Sequence, residues 1–220
     1  MNYKNCVFYD MGHGGIDRNG VYTTAPSKMF DHKNGVFHQG SIFYEGVKNR
    51  TYGNEIVKLL RNKGVNVIVV NHEFNDTPLQ VRTDIANMYH TNIQRGLYIS
   101  EHSNATQIPN TARGISVWTS PGQTRSDVYA QWYIDMMKSD TMNIPKGTRV
   151  MEDLSDKDGD YEARFHVLTV TSMPAILIEN LFFDNIQDAR LLMNNDYFKW
   201  YTELQAEWII RCIQDLDKIV

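Results

Sequence analysis

The sequence predicts an α/β fold: a single three-layer α/β/α domain over residues 1–220, its mostly parallel, mixed central sheet flanked by helices on both faces. Two observations carry this. Short apolar, β-branched runs recur along the chain, and stretches of helical period separate them. Strands that alternate with helices in this way build parallel sheets covered on both sides.

The first strand is expected at Cys6-Val7-Phe8-Tyr9, followed by a helix from about Ile42 to Arg61 that carries Val47, Ile56, Leu59 and Leu60. That helix stops at Lys63-Gly64, where glycine can take the left-handed terminal conformation. A strand over 65–70 comes next, then a helix after Thr77-Pro78 with Leu79, Arg82, Ile85, Ala86 and Met88. Strands at 97–100 and 115–118 precede a helix over roughly 126–137, and Ala175-Ile176-Leu177-Ile178 forms the last strand. The closing helix, about 197–219, repeats Tyr201, Leu204, Trp208, Cys212 and Leu216 along one apolar stripe. Two polar, irregular segments, 17–40 and 143–160, read as loops; at that length loops usually serve as lids or binding walls.

With 42% hydrophobic and 22% charged residues, the 220-residue chain can bury a full core. A net charge of −4 without a Lys/Arg cluster gives no footprint for phosphate backbones, so nucleic acid is excluded as a partner. No secretory leader is visible at Met1-Asn2-Tyr3-Lys4, and no apolar run reaches the roughly 20 residues that span a bilayer. The expectation is a soluble protein in the cytoplasm of the producing cell. Cys6 and Cys212, far apart and without metal-clamp spacing, are expected as buried free thiols.

Four stretches carry the chemistry: Asp10-Met11-Gly12-His13-Gly14-Gly15, Glu45, Ser100-Glu101-His102-Ser103-Asn104, and Ala175-Ile176-Leu177-Ile178-Glu179-Asn180. Ligands gather at the carboxyl ends of strands in such sheets, and His13, His102 and Glu179 are expected to project from strand ends, with Glu45 arriving on a helix. His13, Glu45 and His102 are a donor set that zinc favours, leaving a fourth position open for water. Each residue also has a plainer reading: a tight turn or phosphate loop for His13, a solvated first-turn glutamate after a Ser41 cap for Glu45, a satisfied core histidine for His102. Glu179 ends an otherwise apolar strand, where a salt bridge or a general base would explain an acidic group.

In these motifs the chain resembles the zinc-dependent N-acetylmuramoyl-L-alanine amidases of the type 3 class. The family pattern of Asp-x-Gly-His-Gly, a helix-opening Glu, Ser-x-His-x-Asn-Ala and a late Glu after an apolar strand matches Asp10 to Gly14, Glu45, Ser100 to Ala105, and Glu179 in order. Leu79-Gln80-Val81-Arg82 followed by Ala86-Asn87 also looks like a family helix. The resemblance implies Zn2+ as cofactor, with His13, Glu45 and His102 as its ligands and Glu179 as catalytic base. It implies peptidoglycan as substrate, cut at the amide between N-acetylmuramic acid and L-alanine. The run Arg149-Val150-Met151-Glu152-Asp153-Leu154-Ser155-Asp156 resembles phage lysins of this family, which implies an endolysin released through a membrane pore to act on the wall.

Departures from the pattern are Met11 for the common proline, a long insertion before Glu45, the acidic 152–160 loop, and Glu101, which needs an Arg or Lys partner if buried. The acidic loop fails as a calcium-binding helix-loop-helix: with Gly159 at the loop glycine, Leu154 and Phe165 fall on ligand positions, so a solvated or substrate-facing loop is expected. His32, His38, His72, His90 and His166 are expected away from the metal, His90 as a cation at a helix end. Trp132, Trp200 and Trp208 read as core, and Trp118 as the one tryptophan placed to stack on a sugar. Two other functions fit the residues: another zinc amide hydrolase acting within the stem peptide, or a non-catalytic wall-binding module. A serine hydrolase does not fit, since no Gly-x-Ser-x-Gly elbow occurs.

Overall fold

The apolar run from Cys6 to Tyr9 opens a fully buried strand: all six side chains of β1 (Cys6–Met11) are buried, Asp10 included. In the computed structural model, which describes residues 3–24, 26–140 and 143–219, the chain continues through β2 (Met29–Asp31), β3 (Ile42–Tyr44), α1 (Glu45–Asn62), β4 (Val67–Val69), α2 (Leu79–Asn92) and β5 (Gly96–Asn104). It then forms β6 (Ser116–Thr119), α3 (Arg125–Ser139), β7 (Tyr161–Glu162), α4 (His166–Thr169), β8 (Ala175–Phe182), α5 (Ile186–Leu192) and α6 (Asn195–Leu216).

The main sheet has the order β4-β1-β5-β8-β6-β7. Its pairings are parallel except β6 with β8, so it is mostly parallel and mixed, as expected. Side chains alternate across the sheet and feed two cores. On one face Val7, Tyr9, Leu97, Ile99, Ile176 and Ile178 pack with α1, α3, α5 and α6. On the other, Phe8, Tyr98, Ala175 and Leu177 meet Ala86 of α2 and Val167 and Leu168 of α4. Among the described residues no helix is long and apolar enough to cross a membrane.

The first helix begins later than its apolar period suggests. Ile42, Phe43 and Tyr44 pair with Asp31, Phe30 and Met29 as a small antiparallel hairpin, because the aromatic triplet buries Phe43 completely. Ser41 is therefore no helix cap: Tyr44 occupies that position without a side-chain bond, and the Ser41 hydroxyl donates to Asp31. The segment read as a polar loop over 17–40 thus contains one strand of that hairpin, whereas 143–160 holds no helix or named strand among its described residues. His102 and Glu179 also lie inside β5 and β8 rather than beyond their ends. The pairing of β5 with β8 carries both strands past the polar residue, to Asn104 and Phe182.

Both cysteines are buried and free. His90 is not a cation: its Nδ1 accepts the Gly96 amide, and burial with Arg95 nearby lowers its pKa. Trp118 is part-buried, packs on Tyr161 and Phe165 and donates from its indole to Ser116. The acidic loop is exposed over 154–157, as expected of a solvated one, but its end turns inward and buries Asp160, which is 1% exposed.

Candidate metal centre

Two close approaches build the site. Gly12 follows β1 directly, and a Cβ there would overlap the His102 ring, so only glycine lets the imidazole lie across the loop. Gly46, second residue of α1, presses on the Gly14 carbonyl with no room for a side chain, which locks the start of α1 against the glycine loop. Asn49 reinforces the joint by donating from Nδ2 to the Gly12 carbonyl at 3.0 Å.

The result brings together residues remote in sequence. His13, held at φ 65°, places Nε2 3.2 Å from Glu45 Oε1, and His102 Nδ1 lies 3.0 Å from the same oxygen. The two imidazoles meet edge to face with centroids 4.8 Å apart. Two donors bound to one tetrahedral metal at about 2.0–2.1 Å lie roughly 3.3 Å from each other, close to the separations seen here. His13 Nε2 and Glu45 Oε2 are also enclosed without a hydrogen-bond partner, the condition of donors that await a cation.

The electrostatics suit the same purpose. Burial works against the Glu45 charge, yet His13 and His102 beside it hold its carboxyl well below the usual carboxylate range. Burial lowers the His102 pKa and so favours the neutral, ligating form. Glu179 stands next to His102 on the adjacent strand in direct register. It keeps some solvent contact, but its Oε2 is enclosed and unpartnered. Burial, aided by the Glu45 charge, pushes its carboxyl well above the ordinary range against the pull of Lys28 and Lys48. The arrangement can hold a metal through two nitrogens and a carboxylate, and beside it stands a carboxyl whose affinity for a proton burial raises.

A model of the Amidase_3 family, N-acetylmuramoyl-L-alanine amidase, matches residues 7–211. The chain belongs to this family. This amidase is 26% identical over 205 residues to N-acetylmuramoyl-L-alanine amidase CwlM of Bacillus licheniformis, covering 93% of the present chain and 67% of that protein. Its fold is similar to the N-acetylmuramoyl-L-alanine amidase AmiC2 of Nostoc punctiforme, with a TM-score of 0.71 at 22% identity over 97% of this chain and 99% of that one. It is also similar in fold to the catalytic domain of the CD27L endolysin targeting Clostridia Difficile, with a TM-score of 0.55 at 20% identity over 97% and 98% of the two chains.

Several contacts around this centre join segments whose pairing has no local sequence signal. Asp10, fully buried, accepts from Arg82 at 2.6 Å, Tyr98 at 3.0 Å and Ser100 at 3.1 Å, which fixes β1 just before the glycine loop. Arg82 also bonds Asp76 Oδ1, whose other oxygen lies 4.0 Å from His13 Nδ1. Arg82 stood in a recognisable helix motif and Asp10 in the first glycine motif, but Asp76 in neither. Lys28, from the long insertion, brings its ammonium to 3.6 Å from Glu45 Oε2, so that segment does form part of the wall. Glu101 finds the cation it needs in Lys48, at 2.7 Å. Among the described residues the five other histidines lie outside this group: His32 meets the Phe183 carbonyl, His38 the Tyr44 amide, His72 the Phe74 and Asn75 amides, His90 Gly96, and His166 the Thr83 hydroxyl.

Proposed function

We propose that the chain is a zinc-dependent peptidoglycan hydrolase that opens the amide between N-acetylmuramic acid and the L-alanine of the stem peptide. The observation that carries this is the convergence of His13, Glu45 and His102, with ligand atoms within 4.8 Å of one another, beside the unpartnered Oε2 of Glu179. Two imidazoles and one carboxylate suit zinc better than a metal that favours all-oxygen sites. Zn2+ held there supplies Lewis acidity toward the scissile carbonyl and toward a water. His13, Glu45 and His102 would hold the ion, with Glu179 beside His102 on the neighbouring strand. Glu179 takes the proton of the attacking water on its carboxylate and gives it to the departing L-alanine nitrogen.

The same proposal includes an endolysin role: storage in the cytoplasm of the producing cell, release through a membrane pore, and lysis of the wall. The Arg149 to Asp156 run and the fold likeness to the CD27L catalytic domain support it.

Digestion of purified sacculi by the zinc-loaded protein, with labelling of new amino groups, tests the reaction. New amino-terminal L-alanine with intact glycan is the expected result; a different new terminus moves the bond, and none at all overturns the hydrolase reading. Expression with and without a pore-forming protein tests the lysin role, since lysis is expected only when the pore is present.

A further inference from the structure

A second group of acidic side chains lies away from the metal centre. Ser116 of β6 pairs with Glu179, and β6 runs antiparallel to β8 toward Thr119, about 10 Å further along at some 3.4 Å per residue. There Asp127 from the first turn of α3 meets Asp158 and Asp160 from the acidic loop, with one carboxylate oxygen of each within 4.8 Å of the others. Asp127 is 8% exposed and Asp160 1%.

Protein donors satisfy only part of this cluster. Thr124 donates to Asp127 Oδ2 from its amide at 2.6 Å and its hydroxyl at 2.7 Å. Thr119 has one hydroxyl proton, and it lies 2.6 Å from Asp160 Oδ2 but 3.3 Å from Asp127 Oδ1. Donation to Asp160 leaves Asp127 Oδ1 short of a donor. Asp160 Oδ1 and Asp158 Oδ1 are enclosed without a hydrogen bond from any donor group; their carboxyls, and that of Asp156, face one another. Among the described residues no Lys or Arg pairs with any of the three; the nearby Lys138 is engaged with Glu152 at 2.9 Å. Enclosed carboxylate oxygens without donors are costly, and like charges packed together add to the cost.

We propose that Asp127, Asp158 and Asp160 form a calcium site that ties the acidic loop and the edge strand β7 to α3. The donors are all hard oxygens, without nitrogen or sulfur, which selects Ca2+ over zinc or copper. Three carboxylates neutralise a divalent ion with one charge to spare, and the Thr119 hydroxyl and waters complete its shell. A search for a linear calcium loop fails on Leu154 because the missing acidic ligand comes from Asp127, on a helix earlier in the chain. The site is independent of the amidase chemistry.

Calorimetric titration with CaCl2 of the full chain, stripped of metal and reloaded with one equivalent of Zn2+, tests this. The expected result is one Ca2+ bound per chain. At calcium about 100-fold above its Kd, Tm rises by roughly 5–10 °C. Asp158→Asn and Asp160→Asn should each lose both the binding heat and the Tm shift while keeping native circular dichroism. Asp158 is only partly buried, so its variant decides the matter if Asp160→Asn fails to fold. The proposal is overturned if calcium up to about 10 mM, well above the weak extracellular sites, gives no saturable binding. Binding that survives both substitutions overturns it too, as does an Asp158→Asn variant that is more stable than a calcium-indifferent parent, the mark of a shared proton.

Discussion

The Lys48 ammonium sits 2.7 Å from Glu101 Oε1 with side-chain exposures of 1% and 0%, and it also donates to the His102 carbonyl at 3.0 Å. Tyr201 and Gln205 of α6 donate to the other Glu101 oxygen, so a satisfied buried pair binds α1, β5 and α6 beneath the metal centre. Removing one member of such a pair leaves the other charge stranded. Lys48→Met is expected to destabilise the fold by about 3–5 kcal/mol in urea unfolding, and adding Glu101→Gln should recover part of that loss. A double-variant loss equal to the sum of the two single-variant losses would show that the pair has no coupling.

Glu179→Gln should leave metal content unchanged while lowering hydrolysis of sacculi by roughly 10²–10⁴-fold, the usual worth of a positioned acid-base group. Metal analysis and rate measured on the same preparation check this. A variant that hydrolyses at the parent rate removes Glu179 from the reaction.

Chelation should abolish activity and Zn2+ should restore it, because His13 Nε2 and Glu45 Oε2 are enclosed without a hydrogen bond from the protein. Glu45→Ala is expected to lose the ion altogether and to escape rescue by stoichiometric zinc, as read by metal analysis after dialysis.

Acid should loosen the hairpin that leads into α1. His38 accepts the Tyr44 amide on Nδ1, and burial pushes its pKa down to about 4, against about 6.5 when unfolded. Between those values the unfolded chain binds the extra proton, so this contribution to stability is full above about 6.5 and disappears as pH falls toward about 4. The loss is about 1–3 kcal/mol. Unfolding free energies from pH 7 to 4 should fall less steeply in His38→Asn, which keeps an acceptor but cannot titrate.

Thiol reagents should find nothing to attack in the native chain. Burial pushes the Cys6 thiol up to about 12 and Cys212 well above its usual value, and the thiolate is the reactive form. Iodoacetamide at pH 8 is expected to label both residues only after denaturation; rapid labelling of the folded protein would contradict their enclosure.

Periodicity made most of the fold legible. Apolar runs such as Ala175 to Ile178 and the stripe from Tyr201 to Leu216 announce their elements because burial repeats within a few residues. The hairpin of 29–31 with 42–44 escaped because three-residue strands are too short for a period to register. In the site, His13, Glu45, His102 and Glu179 stood out by motif and order. Asp10 with Arg82, Lys48 with Glu101, and Asp127 with Asp160 did not, since each pair joins distant segments and neither partner marks the other in its local sequence.

The position of β8 bears on how the chain is made. It lies between β5 and β6 in the sheet, yet it is the last strand to leave the ribosome. Without β8, β4-β1-β5 and β6-β7 have no strand to join them, and β5 and β6 each lack the partner that covers their edge. Unpaired edges invite other chains. Chains cut short before residue 175 should therefore aggregate rather than persist as partly active fragments, and the half of the molecule that carries all three nitrogen and oxygen donors remains inert until its central strand arrives.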